Sequence, residues 1–158
     1  MMISEKSLAC VLMRLWIGGH ALAAGLDKFA APRKIVSEDV ETGEMSVRVV
    51  REYAFSNYIG VPEKDFAVFL GDPFLPDWIL HAFYYAIGPA LILFGAMAIL
   101  GIATRTTLFA LGLIFVALEC GLTILSPASA GTLGIQLAII AAAIVLAPHN
   151  RFCITKKF

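Results

Sequence analysis

A chain of 158 residues that is 59% hydrophobic and 15% charged, with a mean hydropathy of +0.84, is too apolar for a soluble domain and reads as a membrane protein. Twelve basic residues balance twelve acidic ones, so no cationic excess is present to neutralise a nucleic-acid backbone, and nucleic acid is excluded as a partner. Cys10, Cys120 and Cys153 form no CxxC pair and no zinc-ligand spacing. That argues against a disulfide framework, and buried thiols in apolar surroundings are inert.

A spanning helix needs about 20 mostly apolar residues to cross about 30 Å of hydrocarbon. The expected spans are about 7–29, 78–103, 106–125 and 132–147, the last short but almost wholly aliphatic. Backbone polar groups cannot stay unpaired in lipid. The expectation is therefore an all-α membrane protein, a single domain over 1–158 built as a four-transmembrane-helix bundle. Within the first span, Ala21-Leu22-Ala23 imitates a signal-peptidase site and Ser7-Leu8-Ala9-Cys10 a lipobox. Arg14 interrupts the apolar core that the first requires, and Cys10 lies too near the amino terminus for the second.

The long loop, 30–77, is expected to be partly helical. Val47, Val50, Ala54 and Tyr58 repeat at helical spacing, as in a helix lying at the interface, and Pro62 opens a second amphipathic piece with Phe66, Phe69 and Leu70. Gly71-Asp72-Pro73 and Pro76 break it before Trp78, a headgroup-level aromatic, opens the second span. From Asp27 to Asp77 the chain carries six basic and ten acidic residues. This acidic stretch suits a partner protein.

Ionisable groups inside spans are functional candidates by default, which singles out Arg14, His20, His81 and Glu119. At about 1.5 Å per residue, His20 and Glu119 each lie about 20 Å along helices that run the same way, so they are expected to meet as a hydrogen-bonded, proton-handling pair. His81, Tyr84, Tyr85 and Gln136 gather near the same end, with Thr123 approaching it. Leu108, Gly112, Phe115, Glu119 and Thr123 form one stripe, and His81, Gly88 and Gly95 another, with Pro89 set to bend the second helix. His20 and His81 also admit a b-type haem carrier, and a core histidine or an interfacial one is the plain structural alternative for each.

Arg14, Gly18, Gly25 and Lys28 satisfy Arg-x3-Gly-x6-Gly-x2-Lys within RLWIGGHALAAGLDKF, the run from Gly95 closes on GIATR, and the chain ends NRFCITKKF. In these motifs the sequence resembles the DoxX-like membrane family across all four helices. The long first loop and the Pro76-Asp77-Trp78 entry are similar to its DoxD branch, the membrane subunit of thiosulfate:quinone oxidoreductase. Where members often carry a glutamate in helix two, this chain is apolar around Leu91, and Glu119 would supply the acid from helix three. The resemblance implies a subunit of a quinone-linked oxidoreductase, with sulfur-compound oxidation as its setting. His20 and Glu119 would exchange protons, Arg14 and Lys28 would stabilise an anionic headgroup or sulfur substrate, and His81, Tyr84, Tyr85 and Gln136 would line the quinone site. No nucleotide or iron–sulfur motif is present in the sequence, so electrons would come through a partner subunit. A non-catalytic scaffold or assembly component holding a soluble partner is the competing reading, and self-association stays open.

Lys28, Arg33, Lys34, Arg48, Arg51 and Lys64 lie on the long-loop side, and Lys6, Arg105, Arg151, Lys156 and Lys157 on the other. Short connections weigh most, and only the turn holding Arg105 is charged, which puts both termini in the cytoplasm of a bacterial-type inner membrane. A single cysteine placed at Ser46 in a cysteine-free variant is therefore expected to react with an impermeant thiol reagent in intact cells. Labelling only after lysis would reverse the orientation.

Overall fold

The computed structural model describes residues 5–38, 45–70, 76–126, 128, 131–150 and 152–154. The chain is mostly helical, with a two-stranded sheet inserted after the first helix. Helix α1 covers Glu5–Asp27, strands β1 and β2 cover Ala30–Glu38 and Met45–Tyr53, and the short α2 covers Glu63–Phe69. Helices α3 (Asp77–Leu100), α4 (Thr104–Leu125) and α5 (Gly134–Leu146) follow, and one 3-10 turn, Ala147–His149, extends α5. By length and composition α1, α3 and α4 are able to cross a membrane, whereas α5 with its extension is a shorter apolar helix.

Helix α1 packs on α3 and α5, and α4 packs on α3 and α5. Helices α1 and α4 thus stand on opposite corners. The buried centre is Ile17, Ala21, Ile87, Leu91, Leu108, Leu111, Phe115, Ile140 and Ala143. The α1–α3 seam is the closest, because glycines from each helix face the other's backbone. A Cβ on Gly18 would lie 2.9 Å from the Gly95 carbonyl oxygen, and one on Gly95 would lie 3.0 Å from the Gly18 oxygen. Two turns further along, a Cβ on Gly25 would lie 3.0 Å from the Gly88 oxygen. Small residues that let helix backbones touch replace the hydrophobic force that lipid does not supply between helices. Two glycines of the family-like motif therefore serve this seam.

Arg14, on the same face, is 4% exposed. Its Nη1 donates to the Phe152 carbonyl at 2.8 Å and its Nη2 to the Ile99 carbonyl at 3.3 Å. Ile99 lies in the last turn of α3, where the helix dipole is negative. Gly101 then turns the chain at φ 75°, and a side chain there would run into the Arg14 guanidinium. The start of GIATR thus needs glycine for its backbone and for space. Arg14 is a structural clasp here, far along α1 from Lys28.

The loop differs from its expected form in one half. Met45–Tyr53 is a strand, not an interfacial helix, paired antiparallel with Ala30–Glu38 in the register Ala30↔Tyr53 to Glu38↔Met45. Three valines at 47, 49 and 50 favour the pleated backbone, and a second nine-residue segment is present to pair with it. Helical spacing read on one segment alone is blind to that partner. Hydrogen bonds from Ala54 N to Phe29 O (3.1 Å) and from Ile59 N to Lys28 O (2.8 Å) stitch the hairpin to the end of α1, and Arg51 pairs with Asp27. The second amphipathic piece is present as α2, opened by Pro62 and burying Phe69. Gly71-Asp72-Pro73 and the tail residues Arg151, Lys156 and Lys157 lie outside the described residues.

Leucine at Gly18 or Gly25 is expected to cost about 1–3 kcal/mol through overpacking and to lower the melting temperature of the purified protein. Lys28→Arg, outside the seam, should leave it unchanged. Parent-like melting of both glycine variants would show that the seam tolerates bulk.

Candidate functional site

Pro89 has no N–H, so the carbonyl four residues earlier in α3, that of Tyr85, loses its helical partner. Tyr58, which follows the hairpin, occupies this break. Its hydroxyl donates to the Tyr84 carbonyl at 2.6 Å, lies 3.3 Å from the Tyr85 carbonyl, and accepts from Gly88 N at 3.3 Å. A side chain on Gly88 would meet the Tyr58 ring at 2.6 Å, so glycine is required beside the insertion. Burial raises the Tyr58 phenol above its ordinary range, the Gly88 amide offsets part of this, and Tyr84 adds to it. The hydroxyl therefore keeps its proton. The Phe29 ring lies 4.8 Å from that of Tyr58, tilted by 46°, and Tyr84 meets Tyr58 edge-on at 5.9 Å.

Fixing Tyr58 sets α2 against the start of α3 and leaves two adjoining cavities beneath it. The polar one, about 360 Å³, is lined by Glu63, His81, Tyr84 and Tyr85 with Val61, Phe66 and Leu70. The apolar one, about 290 Å³, lies between α2, α3 and α4 and includes Phe69, Phe83, Cys120, Gly121 and Ile124. Val61 and Phe66 belong to both walls. The Phe66 ring lies 5.3 Å from His81 and 5.7 Å from Tyr84. A cavity lined by polar side chains thus adjoins an apolar slot.

Three of the expected site residues, His81, Tyr84 and Tyr85, line this chamber together. The others are elsewhere. His20 is exposed on α1, with Nδ1 3.2 Å from the Trp16 carbonyl and its ring 4.4 Å from the Trp16 ring. It lines a shallow hollow with Gly19, Ala23, Ala24, Asp27 and Arg51. Glu119 accepts from Gly131 N with one oxygen and from Leu133 N at 3.1 Å with the other. The expected His20–Glu119 hydrogen bond is not formed: equal depth along two helices does not fix which way each side chain turns, and these helices occupy opposite corners. Nor do His20 and His81 share surroundings as the two ligands of one haem would, since each lines a different cavity.

Glu119 instead closes the turn into α5, satisfying backbone N–H groups just ahead of that helix, where a carboxylate also complements the dipole. Its stripe faces α5 as well, with a Cβ on Gly112 reaching Ile140 at 3.4 Å. Gln136, with its amide turned to donate, reaches the carbonyls of Thr132 and Leu133 at 3.1 and 3.3 Å, within the same turn. Lys28 is half-buried at the end of α1, where its carbonyl accepts from Ile59 N. Burial lowers its ammonium below the ordinary lysine value, against the pull of Asp27 and Asp65. Glu63, missed in the sequence among ten loop acids, is marked only by following Pro62 at the start of an amphipathic turn.

No family model, no curated protein and no solved structure matches the chain.

Glu119→Gln is expected to destabilise, because an amide turns an NH2 toward one of the two backbone donors. The cost should be about 1–3 kcal/mol, read as a lower midpoint of unfolding. His20→Gln should leave the midpoint unchanged. An unaltered midpoint in Glu119→Gln would show that the clasp contributes nothing.

Proposed function

We propose that the chain is a DoxX-like membrane subunit of a quinone-linked oxidoreductase and that the quinone binds in the paired cavities under α2. The observation that carries this is the continuity of a polar chamber with an apolar slot across Phe66 and Val61. An amphiphile with a flat, hydrogen-bonding head and a hydrocarbon tail matches both halves. His81 and the two tyrosines offer the head donors and acceptors, and the Phe66 ring lies against His81 and Tyr84. A bound quinone supplies two-electron, two-proton redox capacity. The chain's own residues bind it and orient it, with His81 and Glu63 facing the head where the sequence pointed to His20 and Glu119.

Four spans belong to this reading, with α5 and its 3-10 extension as the fourth, both termini cytoplasmic and the hairpin on the outer side of a bacterial-type inner membrane. Electron delivery falls to a partner subunit. The hairpin supports such docking: Val47, Val49 and Tyr53, on one face of β2, are each about 60% exposed, beyond what a free strand face in water would favour. The same face also suits the scaffold reading, in which a soluble partner docks there and no quinone binds.

Gly121 tests the choice. A Cβ there meets only Phe69, at 4.0 Å, so a phenylalanine would project into the apolar slot without disturbing the backbone. Purified parent protein is expected to carry extractable quinone, and Gly121→Phe to retain about tenfold less, equivalent to about 1.4 kcal/mol. Quinone-free parent protein would support the scaffold instead.

A further inference from the structure

The polar chamber presents an unequal set of groups. The phenols of Tyr84 and Tyr85 and the imidazole of His81 can each donate or accept, but an ionised carboxylate, that of Glu63, only accepts. Glu63 lies in the first turn of α2. It is one helical turn from Phe66, whose ring abuts His81 at 5.3 Å. Among the described residues, no hydrogen bond or ion pair engages its carboxylate.

An oxidised quinone head has two carbonyl acceptors and no donor. Set against Glu63, it opposes acceptor to acceptor. The reduced head has a hydroxyl at each end and answers the carboxylate directly. We infer that the site selects the quinol, the dihydroxy form, over the quinone, with Glu63 accepting one headgroup O–H and His81 engaging the head from α3. This rests on the quinone reading of the same cavities and adds the redox form that they hold. Charge-assisted hydrogen bonds are the stronger ones, so the carboxylate makes the difference between the two forms larger than a neutral acceptor would.

Cys120 lines the apolar slot and is exposed, whereas Cys10 is buried. In full-length protein carrying Cys153→Ser, whose hydroxyl keeps the donor that the thiol directs at Asn150 O, the alkylation rate of Cys120 by N-ethylmaleimide reports whether the slot is filled. A tetrasubstituted benzoquinol with a decyl tail, kept anaerobic, is compared with the matching quinone. The quinol is expected to protect Cys120 at about tenfold lower concentration, and Glu63→Gln, an exposed change on a cap helix, is expected to narrow the gap to about twofold while retaining protection. Equal protection by both forms overturns the selectivity and leaves the quinone reading standing. An undiminished gap in Glu63→Gln overturns the role of Glu63. Protection by neither form overturns the quinone reading together with the selectivity.

Discussion

A proline inside a long apolar helix opens a hole in its hydrogen-bond ladder, and in a membrane such a hole has to be filled by protein. Here Tyr58 fills it. Its hydroxyl serves two carbonyls and one amide of α3, so the loop's position is set by a backbone deficiency in the bundle. The aromatic cluster around it, the lie of α2 and both cavities follow from that one insertion. Were Pro89 absent, α3 would close its own ladder and the tyrosine would have no reason to sit where it does.

The second fixed relation is the glycine seam between α1 and α3. It aligns the two helices so that Arg14 reaches the end of α3, and it explains the glycines at 18, 25 and 95 as contacts between backbones, whereas Gly88 makes room for Tyr58. Arg14, to which the resemblance assigns an anionic headgroup or sulfur substrate, thus has its guanidinium on two backbone carbonyls. The seam ends before His81, which leaves that residue free to face α2.

The helices were legible because their signals are long: the first expected span began at Ser7 and the helix begins at Glu5, and the third ends at Leu125 in both. The hairpin was not, since three valines two and three residues apart fit either period and the deciding fact, a paired strand, lies elsewhere in the chain. Depth arithmetic placed His20 and Glu119 level, but azimuth depends on which helices are neighbours. Glu119 also carried a local clue: twelve residues on, a glycine at positive φ begins the turn whose amides it binds. His81, Tyr84 and Tyr85 were recoverable as a cluster because they share one helical end, while Glu63 required knowing where α2 folds back.

The Arg14 clasp bears on how the protein is made. The two carbonyls that receive its guanidinium belong to residues 85 and 138 positions further along the chain. At about 5–20 residues per second, the last of them emerges from the ribosome about 7–28 s after Arg14 itself. Until then the guanidinium has at most one of its two carbonyl partners, that of Ile99. The complete clasp around Arg14 therefore forms only after α5 has been synthesised.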